Sequence, residues 1–163
     1  MVSPKSKFHA DLAVGEKGER HVATTLKKHY GAQSISRIGA CKGFDFRLVY
    51  SDKTELFEVK TDFKSRTTGN IFFEYFCNKK PSGLTSTQAD KWAVLLPHLQ
   101  LILVFTPAKM LKFLQTSKKA KDINGGDRNA VSGYVISIEN IKALADVEQI
   151  PTNTRLTHKE KLS

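Results

Sequence analysis

The sequence predicts an α/β domain, a central mixed β-sheet with helices packed on its faces. Three observations predict it. Residues 15–30 carry apolar side chains at helical spacing, several strand-like runs follow in quick succession over residues 33–76, and strands and helices then alternate through residues 139–145.

In the first segment Val22, Ala23, Leu26 and Tyr30 form the helical stripe, and Gly31 follows as a stop. The strand-like runs are QSISRI (33–38), FDFRLVY (44–50), ELFEVKT (55–61) and IFFEYF (71–76), with Gly39, Gly43, Ser51-Asp52 and Gly69-Asn70 as the turns between them. Thr85 and Gln88 stand three apart, as in a capping box, so a short helix is expected from Ser86. WAVLLP (92–97) and LQLILVF (99–105) predict a hairpin of buried strands about Pro97-His98. Pro107 opens the next helix, with Leu111 and Leu114 on its apolar side. Residues 117–132 are expected as a polar, basic loop, GYVISI (133–138) as the last strand and ENIKALA (139–145) as the last helix.

The 163 residues are expected to form a single domain over residues 1–150, followed by a loose polar tail over 151–163. Lys and Arg number 26 against 16 Asp and Glu, a net charge of +10. Such a balance favours an anionic partner, and nucleic acid over membrane, because no basic amphipathic helix with a Trp/Leu face stands out. Cys41 and Cys77 have neither disulfide-framework nor zinc spacing. The N-terminal MVSPKSKFHADLAV has lysines but no long apolar run, and WAVLLPHLQLILVF is interrupted at Pro97, His98 and Gln100. A soluble, intracellular, cytoplasmic protein is expected.

The chemistry concentrates in GFDFRLVYSDKTELFEVKTD, residues 43–62. Side chains alternate along a strand, so Glu58 and Lys60 share a face while Phe57 and Val59 point to core. Phe44, Phe46 and Leu48 share one face of the preceding run, with Asp45 on the other. Paired as a hairpin, one register of the two runs puts Asp45, Glu58 and Lys60 on a common face. Glu19 stands at i with Val22, Ala23 and Leu26 at i+3, i+4 and i+7, on the buried stripe of the first helix. If that helix lies on the same sheet face, Glu19 points at Asp45 and Glu58. Clustered carboxylates repel unless protonated or bridged by a cation, and oxygen donors suit Mg²⁺ or Mn²⁺. Such an ion activates water toward a phosphodiester, and Lys60 either stabilises developing charge or orients and helps deprotonate the water. Taken singly, Glu58 and Lys60 read as a surface charge pair and Asp45 as a turn residue. The joint pattern in a basic chain favours a nuclease site.

At these residues the sequence resembles the PD-(D/E)XK nuclease superfamily, which includes Holliday junction resolvases and small phage nucleases, over roughly residues 15–106. The resemblance implies a restriction-endonuclease-like core. It matches Asp45 to the first acid, Glu58 and Lys60 to the E-x-K, and Glu19 to the helical acid of resolvase-like members. The implied metal ligands are Asp45, Glu58 and the Val59 carbonyl, with Glu19 close by or water-bridged. Phe44 stands where the motif's proline would be. The implied activity is Mg²⁺-dependent cleavage of branched or duplex DNA with 5′-phosphate and 3′-hydroxyl products; the small single domain, with no obvious sequence-reading or motor module, favours a structure-specific endonuclease, with exonuclease action left open. Resolvase-like members often form homodimers. The rival expectation is an inactive DNA- or RNA-binding module on the same fold.

Around this site, Glu74 is expected either as a further acid of the cluster or as a lysine's partner at a sheet edge. Lys79, Lys80, Ser82 and the helix beginning at Ser86 form a phosphate cradle in one reading and an ordinary capped loop in the other. Gln88 either caps that helix or approaches the site, as a polar residue does in related nucleases. Lys118, Lys119, Lys121 and Arg128 either wrap the nucleic-acid backbone or form a solvated charge run. The histidines show no metal spacing, and Trp92 is assigned to core.

Overall fold

A computed structural model describes residues 4–36 and 43–156, apart from the side chains of residues 4–10 and 127. Positions 37 and 38 of the expected first strand, Gly39, Cys41 and the tail beyond 156 lie outside them.

The first helix, α1 (Pro4–Tyr30), starts well before residue 15 and ends where the Ala32 N–H returns to the Lys27 carbonyl at 3.0 Å. Then come β1 (Ser34–Ser36), β2 (Phe46–Val49), β3 (Thr54–Thr61), a one-turn α2 (Ser65–Thr68), β4 (Asn70–Cys77) and β5 (Lys80–Pro81). The second half holds β6 (Lys91–Leu96), β7 (Leu101–Phe105), α3 (Pro107–Thr116), β8 (Lys121–Gly125), β9 (Val131–Ser137), α4 (Ile138–Lys142) and β10 (Glu148–Pro151).

These strands form two sheets. The six-stranded one runs β1-β2-β3-β6-β7-β10 and is mixed, because β3 pairs parallel to β6 while its other pairs are antiparallel. The second, antiparallel sheet runs β5-β4-β9-β8. Val22, Ala23 and Leu26 of α1 bury one face of the larger sheet with Phe46, Leu48 and Phe57. Phe46 and Phe57 stack with centroids 5.1 Å apart, worth about 0.5–1.5 kcal/mol beyond their buried area. The opposite face, through Trp92, Val94 and Leu103, packs on Ile71, Phe73 and Ile136 of the second sheet, closed by Met110 and Leu114 of α3. The molecule is thus helix, mixed sheet, antiparallel sheet, with α3 and α4 beside the second core.

Several expectations change. The second sheet was not anticipated, because β8 lies inside the segment assigned to a basic loop; it pairs with β9, and its Asp122 accepts from the Tyr75 hydroxyl of β4. Its sequence, Lys-Asp-Ile-Asn-Gly, lacks the alternation that marks a half-buried strand. Phe44 parts from Phe46 and Leu48: the chain bends at Asp45, before β2, and Phe44 joins the core against the second sheet. Residues after Pro151 are tied down through 156. Thr152 and Thr154 are buried, and His21 Nε2 and Thr152 Oγ1 are 2.6 Å apart.

No helix begins at Ser86. A 3₁₀ turn, Gly83–Thr85, stands there instead. Thr85 Oγ1 accepts from the Ser82 N–H and donates to the Tyr75 carbonyl, so the hydroxyl expected to cap a helix pins the turn to β4. Gly83 has φ of 52°, and a Cβ on it would sit 2.2 Å from the Glu74 carbonyl oxygen. Backbone cannot yield as a side-chain tip can, so Gly83→Ala is expected to destabilise by about 2–4 kcal/mol, read as a drop in denaturation midpoint.

Candidate active site

The hairpin register sets the site. Phe46 faces Phe57 across β2 and β3, and one step outward the Asp45 N–H donates to the Phe57 carbonyl at 2.7 Å. Asp45 Oδ2 accepts from the Val59 N–H, also at 2.7 Å. Asp45 therefore lies across from Glu58, clamped to the middle of the E-x-K segment. Glu58 and Lys60 stand beside Trp92 and Val94 in the parallel β3–β6 register, on the face turned to the second sheet.

α1 covers the other face, so the same-face condition under which Glu19 would point at Asp45 and Glu58 is not met. Glu19 nonetheless comes within electrostatic reach of Glu58, beside Asp45 where the chain enters β2. Glu19 and Asp45 line one small cleft of about 210 Å³, and both carboxylates act on Glu58. Close approach of α1 to β3 depends on Gly18, whose absent Cβ would fall 2.2 Å from Thr61 Oγ1.

Burial first, then the charges of Asp45 and Glu19, push the Glu58 carboxyl up to about 7. The sign follows from linkage. A carboxyl more basic in the folded than in the unfolded chain adds stability that is complete below its unfolded value of about 4.5 and is lost as pH rises through about 7. In chelator, the protein is expected to melt a few degrees higher at pH 5.5 than at pH 8. The underlying difference is about 1–2 kcal/mol after allowing for solvent screening at this half-buried group. Glu58→Gln should flatten that pH dependence, checked by thermal melts across the range.

Lys60 belongs to the seam between the sheets. Its Nζ donates to the Phe72 carbonyl at 2.6 Å and lies 5.9 Å from the Phe72 ring centroid. Burial lowers its pKa, as does Lys64, against the pull of Asp62 and Glu74. The ammonium is thus held toward β4. Asp62 was missed by sequence reasoning; it is buried, and its Oδ1 accepts from the Ser65 N–H at the start of α2.

Residues 82–88 bridge the second sheet to the Asp45 segment. Ser82 Oγ donates to Glu74 Oε1 at 2.6 Å, linking Ser82 through Glu74 to the field at Lys60. At the other end the Thr87 hydroxyl and the Gln88 N–H both donate to the Gly43 carbonyl, two residues before Asp45. Gln88 therefore sits beside the Asp45 segment without a helix to carry it. Thr87, which also accepts from Trp92 Nε1, was not singled out in the sequence. Lys79 and Lys80 are exposed at the β4–β5 turn, and Ser86 is exposed with its N–H on the Gly83 carbonyl. The expected cradle lacks the helix terminus that was to complete it.

The donors brought together here are oxygen: the Asp45 carboxylate, held on the Val59 N–H, and the Glu58 carboxylate on which it acts. That set fits Mg²⁺, which commonly takes one or two carboxylates and keeps several waters. Among the described residues no group of three His, Cys, Asp or Glu side chains forms a ready metal cage.

No protein-family model matches the chain, and no curated protein matches it. Among solved structures, the fold is similar to that of a bacterial homing endonuclease, I-Ssp6803I, at 14% identity and a TM-score of 0.48, covering 91% of this chain and 83% of that one. Among the described residues no helix is long and apolar enough to cross a membrane.

Proposed function

We propose that the protein is a metal-dependent deoxyribonuclease of the PD-(D/E)XK type, acting as a structure-specific endonuclease on branched DNA. The observation that carries this reading is the clamp of Asp45 onto the E-x-K strand: its Oδ2 on the Val59 N–H, opposite Glu58, with Lys60 two residues on. Asp45, Glu58 and the Val59 carbonyl would hold Mg²⁺ or Mn²⁺, with Glu19 acting through water. When bound, the ion supplies Lewis-acid polarisation of a phosphoryl oxygen and a more acidic water. The chain's own residues do the rest. Lys60 leaves the Phe72 carbonyl by side-chain rotation and offers its positive charge to the phosphorus centre as negative charge grows. Water oxygen bonds to phosphorus, the bond from phosphorus to the 3′ oxygen breaks, and that oxygen takes a proton, leaving 5′-phosphate and 3′-hydroxyl ends. A homodimer would bring two such sites to two strands.

A second reading, an inactive DNA- or RNA-binding module, is favoured by the tether of Lys60 to Phe72. A panel of labelled duplex, single-stranded, flap and four-way DNA with Mg²⁺ or Mn²⁺ separates the two. Metal-dependent cuts near a branch point are expected. Binding that ignores metal, with every substrate left intact, would sink the nuclease.

A further inference from the structure

Beyond Lys60 the chain runs through Thr61 and Asp62 into a second, larger cleft that the site described above does not use. It has a volume of about 790 Å³ and is walled by residues 63–64, 66–67, 97–98 and 154–156. Lys64, Arg66 and Arg155 line it, and Phe63, Pro97 and Leu156 give it apolar walls. No Asp or Glu lines it. The ion pairs among the described residues lie elsewhere and involve none of these three cations. His98 also borders the cleft. Burial holds its imidazole below the usual range, aided by Arg66 and opposed by Asp62, so at neutral pH the positive charge comes from the lysine and the two arginines.

The cleft is continuous with the catalytic side. Phe63 and Lys64 also line a neighbouring hollow of about 380 Å³ bordered by Lys60, Asn70 and Phe72. Lys64 is close enough to depress the Lys60 ammonium. Lys64 stands four positions after Lys60, at most about 14 Å of extended chain. Three cations from two chain segments, set over apolar walls, suit a phosphate-bearing strand whose sugars and bases lie against the walls.

We propose that this cleft holds the backbone of the DNA strand engaged at Asp45, Glu58 and Lys60, on the side of the site beyond Lys60. The inference rests on the nucleic-acid ligand of the nuclease reading, but not on its chemistry. The test is therefore binding in chelator, where nothing is cut. Affinity of labelled duplex and flap DNA is measured across a salt series for three proteins: the unaltered chain, Lys64→Ala/Arg66→Ala/Arg155→Ala, and a control with equal charge loss at exposed lysines outside the cleft, Lys53→Ala/Lys109→Ala/Lys112→Ala. Each phosphate contact contributes about 0.7–0.9 to the slope of log affinity against log salt. The cleft variant is expected to lose about 2–3 from that slope, and the control much less. An unchanged slope in the cleft variant, or an equal loss in the control, overturns the inference. Should the triple variant melt early, Lys64→Ala and Arg155→Ala singly are each expected to lose about 0.7–0.9. A chain that binds with a cleft-dependent slope yet never cuts upholds the inference and sinks the nuclease; one that cuts with an indifferent slope does the reverse. Failure to bind DNA overturns both.

Discussion

Lys60→Ala is expected to slow DNA cleavage by about 10²–10⁴-fold in saturating Mg²⁺, measured as single-turnover cutting of the best substrate of the panel. The structure adds a cost that the sequence did not reveal. The Lys60 ammonium donates to the Phe72 carbonyl across the seam between β3 and β4, and its side chain is largely buried there. Truncation to alanine removes the donor and leaves space, so a loss of about 1–3 kcal/mol in stability should accompany the loss of activity. Lys60→Met keeps most of the stem and no charge. It is expected to cut as slowly as the alanine variant while melting closer to the unaltered protein. Full activity in Lys60→Met would make this lysine a strut between sheets and remove it from the chemistry. DNA affinity in chelator should change little in either variant, because one buried ammonium adds at most one phosphate contact.

The part of the site that was legible in the sequence is the part set by local rules. Alternation along 55–61 put Glu58 and Lys60 on one face, and the short turn at Ser51-Asp52 allowed a hairpin register with Asp45 on the same face, the register the pairing of Phe46 with Phe57 adopts. Helical spacing located Glu19 beside Val22, Ala23 and Leu26. What depends on the second sheet was not legible. β8 has no apolar alternation, so nothing local announced that residues 121–125 would pair with β9 and complete an antiparallel layer. Without that layer there was no partner for the far face of β3, and so no way to see Lys60 tied to Phe72. Ser86 failed for a different reason. The spacing of Thr85 and Gln88 is compatible with a capping box, but the Thr85 hydroxyl is spent on the Ser82 N–H and the Tyr75 carbonyl. A signal of two residues was outweighed by tertiary hydrogen bonds. Asp62 stands next to the motif in sequence, yet only burial against the start of α2 reveals its influence on Lys60.

Asp45→Asn is expected to separate two roles that the native carboxylate combines. Cleavage should fall by at least about 10³-fold, because a neutral amide is a poor ligand for a hard divalent ion and several kcal/mol of transition-state stabilisation go with it. Stability in chelator should move the other way. The amide oxygen can still accept from the Val59 N–H, so the clamp on β3 survives. The charge that helps push Glu58 up to about 7 is gone, and Glu58 ionises at less cost. At pH 8 the variant is therefore expected to melt about 2–4 °C above the unaltered protein, and the gap should narrow toward pH 5.5 as Glu58 takes up its proton in both. Asp45→Ala provides the contrast. It relieves the same repulsion but strands the Val59 N–H, a loss of about 1–3 kcal/mol that should outweigh the gain. An Asp45→Asn protein that cuts at the native rate and melts lower would mean that the carboxylate is there to hold β3. The oxygen cluster at Glu58 would then have no metal to receive, and the enzyme reading would fall with it.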